Sequence, residues 1–291
     1  MSDILWQHPL QMVTTTREFD YLTTILFSSI VLFTIIGLPI FTYYHDFSWV
    51  DWTMFAILYV FTGLGITVGY HRLFSHRSFK CTKWVEVTML LAGGMALQNS
   101  ALKWASDHIR HHAQCDEEDD PYNAKLGFWW SHCGWLFWKD KDPAQYDKYK
   151  TRLKQNPLVM WQHDNYIAIV IAGLLLPFIV GFLYNGWMGG LSCFLLAGVA
   201  RTFFVLNSTF FINSICHLWG NQPHGTSDSS RDSWFVSLLT FGEGYHNYHH
   251  MYQTDYRNGA QWYNFDPSKW LIWTLSKLGL ASDLRRQSTT Q

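Results

Sequence analysis

Residues 52–76 read WTMFAILYVFTGLGITVGY, followed at once by HRLFSH. The apolar part, 52–70, would extend about 28 Å as a helix, close to the roughly 30 Å thickness of a bilayer's hydrocarbon core. It therefore predicts a transmembrane helix that delivers His71 and His76 to the membrane surface. Three more runs of this kind frame it: 21–44 before it, and 166–184 and 187–212 after it. The joints at 45–51 and Asn185-Gly186 are short, so the four spans form two hairpins. Tyr21, Tyr43, Tyr44, Trp49, Trp52, Tyr166, Tyr184 and Trp187 stand at the run ends, where amphipathic rings favour the interface.

Composition agrees with that plan. Of 291 residues, 15% are charged and 18% aromatic, with 16 Trp, against about 25% charged in an ordinary soluble domain. A net charge of −1 supplies no basic field for nucleic acid. The five cysteines, Cys81, Cys115, Cys133, Cys193 and Cys216, are odd in number and unclustered, which argues for free thiols over a disulfide or zinc-finger frame. Met1 to Arg17 is polar and lacks the plan of a cleavable signal peptide.

Orientation follows from the basic residues. Of the 21 Lys and Arg, Arg201 alone lies within a span; the others fall in 1–20, 71–165 and 213–291, and none in either joint. The positive-inside rule places these three segments, and both termini, in the cytoplasm, facing in from a bacterial inner membrane or the endoplasmic reticulum. Arg201 should face protein and pair with a carboxylate or carbonyls. Trp84 to Leu97 is too short to cross comfortably and reads as an interfacial or re-entrant helix. The acidic run Asp116 to Asp120 lacks EF-hand spacing and reads as a solvated loop.

The cytoplasmic side thereby receives nine histidines in four clusters: His71 and His76; His108, His111 and His112; His217; and His246, His249 and His250. On an α-helix, H-x-x-H-H sets three imidazoles at i, i+3 and i+4 on one face, offering them to one locality. The i, i+5 pair of the first cluster shares no α-helical face, so the helix should end or bend between its members. Asn213 and His217, at i and i+4, face the same way. His8, His45, His132, His163 and His224 are isolated and read as hydrogen-bonded core residues.

Nine imidazoles exceed what one ion can take, so two metals are the economical count. Zinc sites are usually four-coordinate, and a zinc hydrolase would want the Glu of H-E-x-x-H. A pair of redox metals is favoured, with iron and copper both open. Asp107, Asp120, Glu243 and Asn247 are placed in sequence to orient the rings. A histidine-rich metal transporter would line a transmembrane path, yet these spans hold no mid-membrane His, Asp or Glu.

Longer motifs surround the histidines: Gly63-Leu-Gly-Ile-Thr-Val-Gly-Tyr-His71 through Arg77, Leu97-Gln-Asn, Trp104, and Asp120-Pro-Tyr-Asn123. They continue through Gly127-Phe-Trp-Trp-Ser-His132-Cys-Gly-Trp135, Asn213-Ser to His217, and Gly242-Glu-Gly-Tyr-His246-Asn-Tyr-His249-His250. In this order, over roughly residues 20–285, the chain resembles the acyl-CoA (Δ9, stearoyl-CoA type) desaturases. The resemblance implies an all-α integral membrane fold, four transmembrane helices in two hairpins with a cytosolic helical cap holding a di-iron site. It implies that the nine histidines ligate two irons, with Asn213 meeting one through a water. It further implies O2 as co-substrate, a cis double bond as product, and electrons from a donor of cytochrome b5, ferredoxin or rubredoxin type.

The same resemblance assigns Gln98 and Trp104 near the acyl thioester and chain, and Trp135 and Thr209 beside a kinked tunnel. Tyr59 would close the tunnel end, and Gly63, one turn on, would admit a longer chain than a larger residue could. There are departures. Ser106 and Asp140 stand where animal members carry basic residues for the CoA phosphates, with Lys139 kept nearby, and Asp140 has the wrong sign for a phosphate. Phe210 stands where a Trp is frequent. Acyl-lipid desaturases share the histidine boxes without needing that basic patch, and related fatty-acid or alkane hydroxylases share the metal site with a different product.

Overall fold

The computed structural model describes residues 17–287; His8 and most of the N-terminal segment lie outside the described residues. Helix α1 (Tyr21–Tyr44) starts where Asp20 accepts the Thr23 amide. Helix α2 (Trp49–Ser75) starts at a reciprocal Ser48–Asp51 capping box. Leu22, Ile25, Leu26, Ile35, Ile36 and Ile40 stand exposed along α1. An apolar surface so long and continuous is matched by hydrocarbon, not by water.

Helices α3 (Lys83–Gly94), α4 (Ala101–Gln114) and α5 (Pro157–Asp164) follow. At 12 residues, α3 is too short to cross a bilayer, as its sequence predicts. Helix α6 (Tyr166–Leu218) has 53 residues, about 80 Å if straight, but it is not straight. The backbone leaves helical geometry at Asn185 and Gly186, the latter at φ +58°, where glycine is at no disadvantage. In a continuous helix residues 181 and 189 would be about 12 Å apart. Here a Cβ added to Gly181 would lie 2.1 Å from the Gly189 carbonyl oxygen. The chain doubles back, and two small residues let the arms close. Among the described residues three helical runs are thus long and apolar enough to cross a membrane, the third folded on itself.

Helices α7 (Trp234–Leu239), α8 (His246–Met251) and α9 (Pro267–Lys277) complete the chain. Strands β1 (Arg17–Phe19), β2 (Lys80–Cys81), β3 (Trp138–Asp140) and β4 (Ala281–Ser282) pair antiparallel as β1–β3 and β2–β4.

The polar ties are buried. Gln162 of α5 accepts the Ala101 amide and donates to the Tyr70 hydroxyl, fastening α5 to α4 and α2. Arg72, 1% exposed, pairs with Glu243 and Asp266 and donates to the Tyr256 carbonyl. Removing one member of such a buried set typically costs about 3–5 kcal/mol. Arg201 is fully buried and donates to the carbonyls of Ala197 (3.2 Å) and Met95 (3.0 Å), so carbonyls rather than a carboxylate receive it.

Several expectations need correction. Helix α2 begins at Trp49 rather than Trp52; it does end between His71 and His76, at Ser75, though not as an α-helix. Its last residues, Gly65–Ser75, wind as a π-helix. The second arm of α6 likewise runs past Ile212 to Leu218. Of the isolated histidines, His132 is buried and bonded to Ser214 and Asn207. His45, His163 and His224 are exposed, because each sits at a helix end or in a loop rather than on a packed face, although His163 Nδ1 does meet Ser100 Oγ at 2.7 Å.

Candidate metal centre

The π-helix decides the first pair. In this winding the bond runs from i+5 to i, and the His76 amide donates to the His71 carbonyl at 3.1 Å. Both rings therefore lie one above the other on the same side. Ser75 Oγ donates to the Tyr70 carbonyl, and Arg152 donates to the carbonyls of Phe74 and Ser75 at 2.7 and 2.8 Å, which hold the widened turn at its exit.

The nine histidines form two buried groups, His71, His76, His108, His112 and His249 in one, His111, His217, His246 and His250 in the other. Each H-x-x-H-H motif is divided, contrary to the single locality expected of it. The i, i+4 pair of α4 enters the first group while His111 crosses to the second. The i, i+4 pair of α8 enters the second while His249 crosses to the first. Helices α4 and α8 thus exchange their middle histidine, and neither group can form without both.

The nitrogens are spaced for a metal. In the first group Nε2 atoms lie 2.9 Å apart in His71–His249, 2.8 Å in His76–His108, 3.0 Å in His108–His112 and 2.9 Å in His112–His249. In the second, His217–His246 and His246–His250 are each 3.0 Å. With metal–nitrogen bonds of about 2.1 Å, ligands at right angles sit about 3.0 Å apart, against about 3.4 Å in a tetrahedron. Each group can therefore offer several histidine nitrogens to one ion. His111 Nε2 is buried, points among these nitrogens and has no hydrogen-bond partner, as a lone pair reserved for an ion would.

Burial first, and the neighbouring imidazoles second, hold His76, His108, His112, His246 and His249 well below the ordinary imidazole range. Neutral rings are what a metal needs. Several of the far nitrogens face acceptors: His71 Nδ1 lies 2.7 Å from Glu243, His111 Nδ1 2.8 Å from Asp120, and His250 Nδ1 3.1 Å from Asp228. His217 Nδ1 meets Ser229 Oγ at 2.8 Å, and that hydroxyl donates to Asp116. Glu243 sits below the usual carboxylate range against a burial penalty because His71 and Arg72 flank it, and Asp120 does so through His111.

Two of the four proposed orienting residues, Asp120 and Glu243, stand at the rings. Asp107 instead pairs with Lys103, and Asn247 ties the loop at His224, Gly225 and Ser230. The acidic run is not simply a solvated loop. Asp116 and Asp120 are buried while Glu117, Glu118 and Asp119 are exposed. Asp116, Asp228 and Ser229 were invisible in the sequence because they act across loops. Only the density of Asp and Ser at 226–230 hinted at them.

Beside the histidines an apolar chamber is lined by Tyr59, Gly63, Ile66, Val205, Leu239 and Phe241, with His71, His108, His246 and Asn213 also at its wall. A second chamber shares Trp104, His108, Thr209 and Asn213 with it, and includes Gln98, Trp135 and Phe210. A surface cleft in turn shares Trp135 and Leu136 and carries Arg17, Lys103, Arg110 and Lys139. The three cavities thus adjoin one another at shared walls, beside the histidine groups.

Between the chambers Trp104 Nε1 donates to Gln98 Oε1 (3.1 Å) and Gln98 Nε2 to Thr209 Oγ1 (2.9 Å). Gln98 is flanked by Leu97 and Asn99 at φ +60° and +73°, strained backbone of the kind that collects at working sites. At the mouth Asp140 is paired with Arg110 at 2.7 Å. Phe210 fills against Trp135 and His132.

Comparison with known proteins supplies a context for this geometry. Residues 47–280 match the model of the fatty acid desaturase family. The chain is 40% identical over 256 residues to a probable acyl-CoA desaturase of Schizosaccharomyces pombe, covering 86% of this chain and 53% of that one. It is 38% identical to acyl-CoA desaturase 1 of Saccharomyces cerevisiae, covering 81% and 46%. It is 40% identical to an sn-1 stearoyl-lipid 9-desaturase of Synechocystis, covering 82% and 73%. The chain spans about half the length of the two yeast relatives.

Proposed function

Because this chain belongs to the fatty acid desaturase family, we propose that it is an O2-dependent membrane desaturase that places a cis double bond, at Δ9, in a saturated C16–C18 acyl chain carried on coenzyme A. The observation that carries the reading is the pair of histidine nitrogen groups set beside an apolar chamber. We assign the ligands as His71, His76, His108, His112 and His249 for one iron, and His111, His217, His246 and His250 for the other, with Asn213 reaching the latter through water. Four spans in two hairpins would carry these groups on the cytoplasmic face, with both termini on that side. When bound, the irons supply the activation of O2 and the removal of hydrogen from two adjacent methylenes, using two electrons from a protein donor of cytochrome b5, ferredoxin or rubredoxin type.

The protein's own contribution is positioning and exclusion. Asp120, Asp228, Glu243 and Ser229 hold the protons at the Nδ1 atoms, so each Nε2 presents a lone pair. Ile66, Val205, Ile212 and Leu239 line the inner chamber, which keeps water from the reacting methylenes. Gln98, Trp104 and Thr209 stand where the chain must pass from the outer to the inner chamber. Trp135 lines the approach and Lys139 the mouth.

A second reading, an acyl-lipid substrate, is favoured by one feature. The Arg110–Asp140 pair lowers the positive charge available to CoA phosphates at the cleft, and the Synechocystis relative is named for a lipid substrate. Expression in a desaturase-deficient host with fatty-acid profiling tests both. We expect a monounsaturated product from the wild type and none from His111→Ala or His249→Ala, with less bound iron in each. Full activity and retained iron in either variant would sink the ligand assignment, and a hydroxylated product would replace desaturation by hydroxylation. Purified protein given acyl-CoA or acyl-lipid separates the carriers.

A further inference from the structure

Two segments remote in sequence meet at the wall of the inner chamber: Tyr59 and Gly63 on α2, and Phe241 in the turn between α7 and α8. Phe241 has φ +55°, a left-handed conformation that for a bulky residue costs on the order of 1–3 kcal/mol and persists only where its surroundings impose it. Here they do. Its carbonyl accepts the Ser268 amide at 3.3 Å and the Ser268 hydroxyl at 2.9 Å, and that hydroxyl lies 2.7 Å from Thr67 Oγ1 on α2. The clamp drops the Phe241 ring onto α2. A Cβ added to Gly63 would lie 2.2 Å from Phe241 Cε2 and 3.0 Å from Cδ2, so the ring occupies the notch left by the missing side chain. This corrects the expectation that Gly63 leaves room for a longer chain: the room is filled, from another part of the sequence.

We propose that Phe241 is a specificity-determining residue that sets the length of the acyl chain, acting as the floor of the chamber together with Tyr59. The inference rests on the acyl-chain reading above. If the reacting methylenes are held at the metal groups, the distance from there to the floor fixes how many carbons can lie beyond the double bond. The Tyr59 ring is 5.8 Å from that of Phe241, and its hydroxyl is tied to Ser208 Oγ and the Leu239 carbonyl at 2.9 Å each. Replacing Tyr59 would leave those buried groups without a partner. Replacing Phe241 removes only carbon, so it reports length alone.

Phe241→Ala should open on the order of 100 Å³, room for about three methylenes. The wild type, Phe241→Ala, Phe241→Leu, Gly63→Ala and the Gly63→Ala/Phe241→Ala double variant are expressed in a desaturase-deficient host fed equal myristic, palmitic, stearic, arachidic and behenic acids. We expect Phe241→Ala to raise the arachidic-to-palmitic product ratio by about tenfold or more, with the double bond unmoved from the carboxyl end. Gly63→Ala should shift the ratio the other way, and the double variant should return towards the wild type. An unchanged length profile in a Phe241→Ala protein that makes product overturns the proposal while leaving the desaturase reading intact. No unsaturated product from the wild type with any acid overturns the reading beneath it. Should Phe241→Ala make no product, thermal protection of the purified variant by the same five acids gives the length preference without turnover: a shift to longer acids supports the floor, and no shift overturns it.

Discussion

At the scale of single residues, the centre depends on which nitrogen of each imidazole carries the proton. His111 shows this most directly, since Asp120 accepts from its Nδ1 while its Nε2 stands without a partner among three other histidines. Asp120 also accepts the amides of Asp116 and Tyr122, so its carboxylate is committed on every side. An amide in its place must set a donor against a donor. Asp120→Asn should let the proton move to Nε2 or turn the ring, and so weaken metal binding about 10–100-fold with the helical content intact. Iron content after equilibration with a graded chelator measures this. A variant that holds its iron as tightly as the wild type would show that Asp120 does not set the tautomer.

At the scale of elements, the π-winding of α2 brings His76 under His71, and Arg152 secures it from outside by donating to two carbonyls at the exit. A charged donor on two carbonyls contributes about 1.5–3 kcal/mol, and its place near a helix C-terminus adds to this. Arg152→Ala should free the turn after Ser75, lower amide-exchange protection over residues 71–78, and cost the first histidine group its metal before the second. Equal loss from both groups, or unchanged protection, would contradict the assignment. The four apolar runs and nine histidines were legible because hydrocarbon thickness and ligand chemistry leave a mark in composition and spacing. The π-turn was not legible, since a bond from i+5 to i has no residue signature. Nor was the exchange of His111 and His249 between groups: spacing fixes the face of one helix, while the crossing of α4 and α8 decides what that face meets. The filling of the Gly63 notch by Phe241 lies 178 residues away in the chain, beyond any local pattern.

At the scale of the whole molecule, the two groups join four segments far apart in the sequence: the end of α2, α4, the end of α6, and α8. A metal bound there closes the structure, and without it the protein keeps a buried cluster of imidazoles, six of which the fold holds towards their neutral form. His76, His108, His112, His246, His249 and His250 are all held below the ordinary imidazole value, by burial first. In the unfolded chain the same rings titrate near 6.5. As pH falls through that value the unfolded state takes up protons that the folded state refuses, so stability falls with acidification. Asp120, Asp228 and Glu243, held below their ordinary range, act in the same direction at lower pH, their stabilisation lost as they are protonated. Each of these six rings can contribute up to about 1.4 kcal/mol per pH unit below 6.5; His111, raised by Asp120, works against them, and with six rings against one the metal-free protein should be less stable at pH 5.5 than at pH 7.5. Thermal melts of chelator-treated protein in detergent at those two values check the sign. Restoring iron at pH 7.5 should raise the melting temperature, because binding to the folded state alone stabilises it. Metal-free protein that melts no lower at pH 5.5 would mean that these imidazoles are not kept neutral by the fold.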